Sequence, residues 1–114
     1  MQTFPLTSRS PKLRLVITES AFITVKPGQE AAFLGAVKSD GVKVLERATG
    51  FIDIDIKRGI ERPSTFQLTL HWETLEDHTE KFRGGPLFTE WRAVISPFFA
   101  EPPQVEHWQD THEA

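Results

Sequence analysis

The chain has 114 residues, no Cys, 39% hydrophobic residues and a formal charge of −3. That length holds one domain, the missing Cys excludes disulfide scaffolds, iron–sulfur clusters and thiol nucleophiles, and the weak negative charge gives no footprint for nucleic acid. No run of about 18 apolar residues occurs, so no membrane-spanning helix is expected.

Pro5, Ser8, Ser10 and Pro11 mark residues 1–12 as a flexible arm. The arm lacks the apolar run of a signal peptide, so the cytoplasm is the expected compartment. Leu13 to Val25 is β-branched and apolar enough for a strand that ends at the turn Lys26-Pro27-Gly28. Gln29 to Arg47 repeats Ala32, Phe33, Ala36, Val37, Val44 and Leu45 at helical spacing, with Gly41 predicting a kink. Phe51 to Lys57 alternates strictly and predicts Ile52, Ile54 and Ile56 on one strand face, Asp53, Asp55 and Lys57 on the other. Thr65 to Glu73 alternates again, with Phe66, Leu68, Leu70 and Trp72 on one face, and the short polar link between the two strands predicts a hairpin.

Thr74 is placed to cap a short helix from Leu75 to Arg83, whose Leu75, His78 and Phe82 share a face. Gly84-Gly85-Pro86 breaks the chain. A third helix, Leu87 to Ile95, carries an aromatic stripe of Phe88 and Trp91, and Pro97 stops it. After Pro102-Pro103, Gln104 to Gln109 reads as a last strand. The domain is thus expected over residues 13–109, with 110–114 a short tail. The order β-α-β-β-α-α-β predicts an α+β, ferredoxin-like split βαβ fold with an antiparallel sheet and helices on one face only.

The run Leu70-His71-Trp72-Glu73-Thr74-Leu75-Glu76-Asp77-His78, followed by Phe82-Arg83, Pro86-Leu87-Phe88 and Glu90-Trp91, resembles the antibiotic biosynthesis monooxygenase family. The tail from Pro97-Phe98-Phe99 to Pro103-Gln104-Val105-Glu106-His107 is similar to one subgroup of it. The likeness spans residues 14 to 109. It implies a dimeric α/β-barrel, a homodimer in which two protomers face each other across their open sheets. It also implies a small apolar or aromatic ligand, and it extends to cofactor-free oxygenases, haem-degrading enzymes, cyclases and lyases, and members without assigned activity. Ser20 and Trp91 stand where haem-degrading members resemble one another in an Asn and a His, so haem is not expected and O2 would serve as co-substrate without a cofactor.

Within that frame His78 is the candidate catalytic residue, a general base aimed at the sheet. The alternative is a hydrogen-bonded structural histidine. Trp72, Phe88 and Trp91 are candidate ligand walls, with core packing as the plainer role. Ser20 and Arg92 are candidates for polarising a substrate oxygen, although a helix arginine is ordinarily a solvated charge. His107 and His112 do not have the spacing of a metal pair. Three functions fit: a cofactor-independent monooxygenase of an electron-rich aromatic, quinol or polyketide-like molecule, a non-oxidative cyclase, dehydratase or lyase, or a non-catalytic small-molecule-binding or stress-related protein.

Overall fold

A computed structural model describes residues 16–111. The expected arm over residues 1–12 lies outside the described residues, as do residues 112–114 of the tail. Four strands form one antiparallel sheet: β1 (Ile17–Thr24), β2 (Phe51–Arg58), β3 (Thr65–Trp72) and β4 (Gln104–Gln109), in the spatial order β2-β3-β1-β4. β1 pairs on one side with β3, Ala21 opposite Leu68, and on the other with β4, Ala21 opposite Val105. This is the ferredoxin-like plan expected from the sequence.

The helices lie on one face. α1 (Glu30–Ala36) runs through a π-helical turn, Val37–Gly41, into α2 (Val42–Leu45), and α3 (Pro86–Ile95) crosses beside them. The predicted kink at Gly41 is therefore an inserted π turn within a continuous helix. A Cβ at Gly41 would meet Trp91 of α3 at 3.0 Å, so the glycine lets the two helices approach. α3 starts as its sequence dictates, with extended Gly85 before it and Pro86 in its first turn, where no N–H is missed. Phe33 from α1 packs on Phe66 with ring centres 5.1 Å apart, and Leu45, Leu68 and Trp72 complete a dry core. Phe33, Phe66 and Phe82 all belong to this core.

Two strand and helix phases differ from the alternation in the sequence. A bulge lies between Phe51, opposite Trp72, and Asp53, opposite His71. Ile52 is the extra residue: it is exposed, and Phe51 takes the inward place against Trp72 at 5.7 Å. Thr74 Oγ1 accepts the Asp77 N–H at 3.1 Å, as a cap should. The helix it starts becomes π-helical over Asp77–Phe82, closed by the Arg83 N–H to the His78 carbonyl. The wider turn keeps His78 and Phe82 inward together with Asp77, and leaves Leu75 exposed. Asp77 packs under Gly50, whose φ of +81° and contact leave no room for a side chain.

Candidate functional site

The strand alternation that builds the core also aims one charged residue into it. On β1 the inward series reads Glu19, Ala21, Ile23, while Ser20, Phe22 and Thr24 face the open side of the sheet. Glu19 lies beside Leu70 on β3 and His107 on β4, on the helix-covered face. Its carboxylate is buried. Oε1 accepts the Trp72 indole N–H at 2.9 Å and stands 3.3 Å from His78 Nε2. On the other side of the ring, His78 Nδ1 and His107 Nε2 share a hydrogen bond of 2.7 Å. Trp72 stacks on His78 with ring centres 5.0 Å apart and planes 24° from parallel. The indole thus fixes both the carboxylate and the imidazole.

Proton bookkeeping follows from these contacts. The His78–Glu19 contact has ion-pair distance, yet burial, helped by the Arg83 and His107 charges, pushes the His78 pKa down to about 3. His78 is therefore neutral at physiological pH. Burial raises the Glu19 pKa against the opposing pull of the Trp72 hydrogen bond and Arg83. Burial and then Arg83 lower that of His107. A neutral imidazole has one N–H and one acceptor nitrogen. Two arrangements satisfy every contact. In one, His78 donates to an ionised Glu19 and accepts from His107. In the other, a protonated Glu19 donates to His78, which donates to His107. The three groups form a line rather than a chelate, and among the described residues no cluster of three or more His, Asp or Glu could hold a metal ion.

Beside this line opens a cavity of about 610 Å3, within the size range of small-molecule sites. Leu70, Phe82, Phe88, Trp91 and Phe99 form apolar walls, Glu19 and His78 reach its inner end, and Arg83 and Arg92 also line it. Of the residues singled out in the sequence, His78, Phe88, Trp91 and Arg92 do meet at this cavity. Trp72 does not line it: the side chain is fully buried behind His78 and Glu19, so it supports the site rather than walling it. Ser20 is on the opposite face of the sheet, because Glu19 occupies the inward phase of β1. Phe98 and Phe99 pack within the chain: Phe98 lies 5.8 Å from Phe33, and Phe99 lines the cavity. Glu19, Arg83 and His107 were missed as site residues. For Glu19 the signal was present, a carboxylate in step with Ile17, Ala21 and Ile23 on an apolar strand face.

The family model described as antibiotic biosynthesis monooxygenase matches residues 16–94. YczJ of Bacillus subtilis strain 168, an uncharacterized protein, is 35% identical over 95 residues, covering 83% of this chain and 99% of that one. A crystal structure of a proposed antibiotic biosynthesis monooxygenase from Bordetella bronchiseptica is 39% identical, with a TM-score of 0.81 over 85% of this chain and 98% of that one. At 14% identity, a Streptomyces coelicolor monooxygenase from the gene ActVA-Orf6, in complex with Nanaomycin D, shares the fold with a TM-score of 0.73 over 89% of this chain and 92% of that one.

Proposed function

The chain belongs to the antibiotic biosynthesis monooxygenase family, and on that premise we propose that it is a cofactor-independent monooxygenase of a flat, electron-rich phenol or quinol. The observation that carries the reading is the buried Glu19–His78–His107 line at the inner end of an aromatic-walled cavity. The S. coelicolor monooxygenase, crystallised with Nanaomycin D, gives the reaction class a precedent on the same fold.

The proton acceptor in this proposal is the Glu19–His78 pair rather than His78 alone. Both His78 ring nitrogens are already engaged, by Glu19 and by His107. Glu19 Oε2, by contrast, has no hydrogen-bond partner among the described residues. Burial makes that carboxylate a stronger base than a solvated one. A substrate hydroxyl transfers its proton to Glu19. Where Glu19 starts protonated, it is first freed for this by passing its own proton to His78 Nε2 while His78 Nδ1 passes one to His107 Nε2, and His107 releases one from Nδ1 towards solvent. Each ring begins and ends neutral, so the low basicity of His78 is no obstacle.

The phenolate left in the cavity is electron-rich, with the Arg83 charge close by. It gives one electron to O2, and the resulting radical and superoxide combine at a ring carbon. The O–O bond then breaks and that carbon loses its hydrogen, so that one atom of O2 leaves as water and the other remains as a quinone oxygen. The balance is phenol plus O2 to quinone plus water. O2 uptake with a panel of naphthols tests this. One O2 should be consumed per quinone formed. Undiminished turnover without O2 would mean non-oxidative chemistry by the same acid–base pair. Binding without turnover in the wild type would mean a binding protein.

The same proposal includes a homodimer joined through the open sheet face, where Ser20, Phe22 and Thr69 lie and where Trp108 is 54% exposed. Members of the family are generally dimeric, and among the described residues no helix is long and apolar enough to cross a membrane. Ser20→Arg would put a charge in the centre of that face. Light scattering should then report one chain where the wild type gives two.

A further inference from the structure

One charged group at the cavity has no part in the proton chemistry above. Arg92, on α3, holds its guanidinium carbon 5.8 Å from the ring centre of Phe88 and 5.5 Å from that of Phe99. Both rings belong to the cavity lining. Contact with ring faces restrains a guanidinium while leaving its N–H edges able to donate. Glu90, two residues earlier on the same helix, gives both oxygens to Arg47, at 2.8 and 3.3 Å. Among the described residues no carboxylate pairs with Arg92. The carboxylates of the lining are Glu19, already held by Trp72 and His78, and Glu101, exposed and within ion-pair distance of neither Arg83 nor Arg92.

The geometry points to a carboxylate on the ligand: the cavity takes an aromatic hydroxy acid, with its acid group on the Arg92 fork and its hydroxyl towards Glu19. This rests on the reading of the cavity as an aromatic site and adds the acidic handle to it. A planar guanidinium matches a carboxylate through two parallel hydrogen bonds. Arg92 is solvent-exposed, so what the two rings contribute is restraint of its fork, which lowers the ordering cost of pairing. The apolar walls between the two ends accept the ring system and select its shape.

Calorimetric titration of the full chain with 5-hydroxy-1-naphthoate and with its primary amide tests the proposal. The two probes share ring and hydroxyl and differ in charge. The acid should bind about tenfold more tightly than the amide, and only the acid should weaken as salt is raised. Arg92→Gln should remove that preference while leaving amide affinity within about threefold, which also shows that the variant is folded. Arg92→Lys should keep part of it, and Arg47→Gln, a surface control, all of it. Equal binding of acid and amide to the wild type overturns the proposal, as does a preference that survives Arg92→Gln. Failure of both probes to bind at about millimolar concentration overturns it together with the aromatic-cavity reading. An Arg92-dependent preference without O2 uptake would uphold the acid site and reject the oxygenase.

Discussion

Each face of the sheet carries a histidine–carboxylate pair, and the two behave differently. On the open face His71 Nδ1 lies 2.6 Å from Asp53 Oδ1, with side chains 36% and 62% exposed. On the covered face His78 Nε2 lies 3.3 Å from Glu19 Oε1, with side chains 4% and 8% exposed. The closer pair is the ordinary one. Within the single chain water screens it, and such pairs contribute little. In the longer, buried pair the cost of charge in a dry setting displaces both groups from their usual titration range, Glu19 upwards and His78 downwards. Burial, not distance, makes proton chemistry available on one face and not on the other.

The sharpest way to break this comparison is to neutralise each carboxylate in turn. Glu19→Gln should lower turnover by about a hundredfold or more, whereas Asp53→Asn should leave it within about twofold in the same oxygen-uptake assay. Equal losses would show that the buried pair has no special role.

Acid stability gives the next largest difference. His78 remains neutral in the folded chain down to about pH 3, while its unfolded counterpart takes a proton near 6.5. The unfolded state binds more protons across that window, so stability falls as pH drops from 6.5 towards 3. Glu19 acts oppositely: its raised pKa adds stability below about 4.5 that is lost as pH rises through the folded value. Between pH 6.5 and 4.5 the loss from His78 should be on the order of 1–3 kcal/mol by urea titration. His78→Gln should flatten the profile there.

Trp72→Phe makes the smallest and most selective change. It keeps a ring against His78 but removes the N–H that Glu19 accepts. A stability loss of about 1–2 kcal/mol is expected. Because that hydrogen bond holds the Glu19 pKa down, its loss should also move the acidic, ascending limb of the pH–rate profile to higher pH.

Much of the architecture was legible because periodicity reports burial directly. Gln104 to Gln109 forms a strand with the bounds read from the sequence, and Phe66 to Trp72 faces inward as alternation requires. His78 was found because a histidine sharing a helix face with Phe82 must look at the sheet. Ile52 was misplaced because a bulge adds a residue without changing the local pattern. Leu75 was misplaced because the following turn is π-helical and shifts the phase. Ser20 was preferred to Glu19 by analogy of position, although the phase of Ile17, Ala21 and Ile23 already turns Glu19 inward. In the sequence His107 has only His112 as a near histidine neighbour. Its true neighbour, His78, is 29 residues away, and only the pairing of β4 with β1 brings them together.

The π turn at Asp77–Phe82 makes this segment sensitive to length as well as to composition. Each residue of an α-helix advances the side-chain direction by about 100°. Removing one residue between Thr74 and Pro86 would restore an ordinary helix at little local cost, and would swing the imidazole off the carboxylate it serves. A relative with a one-residue gap there could keep every aromatic wall and still lack the proton line. When other chains are searched for this site, counting residues from the capping threonine to the proline is therefore as informative as finding the histidine.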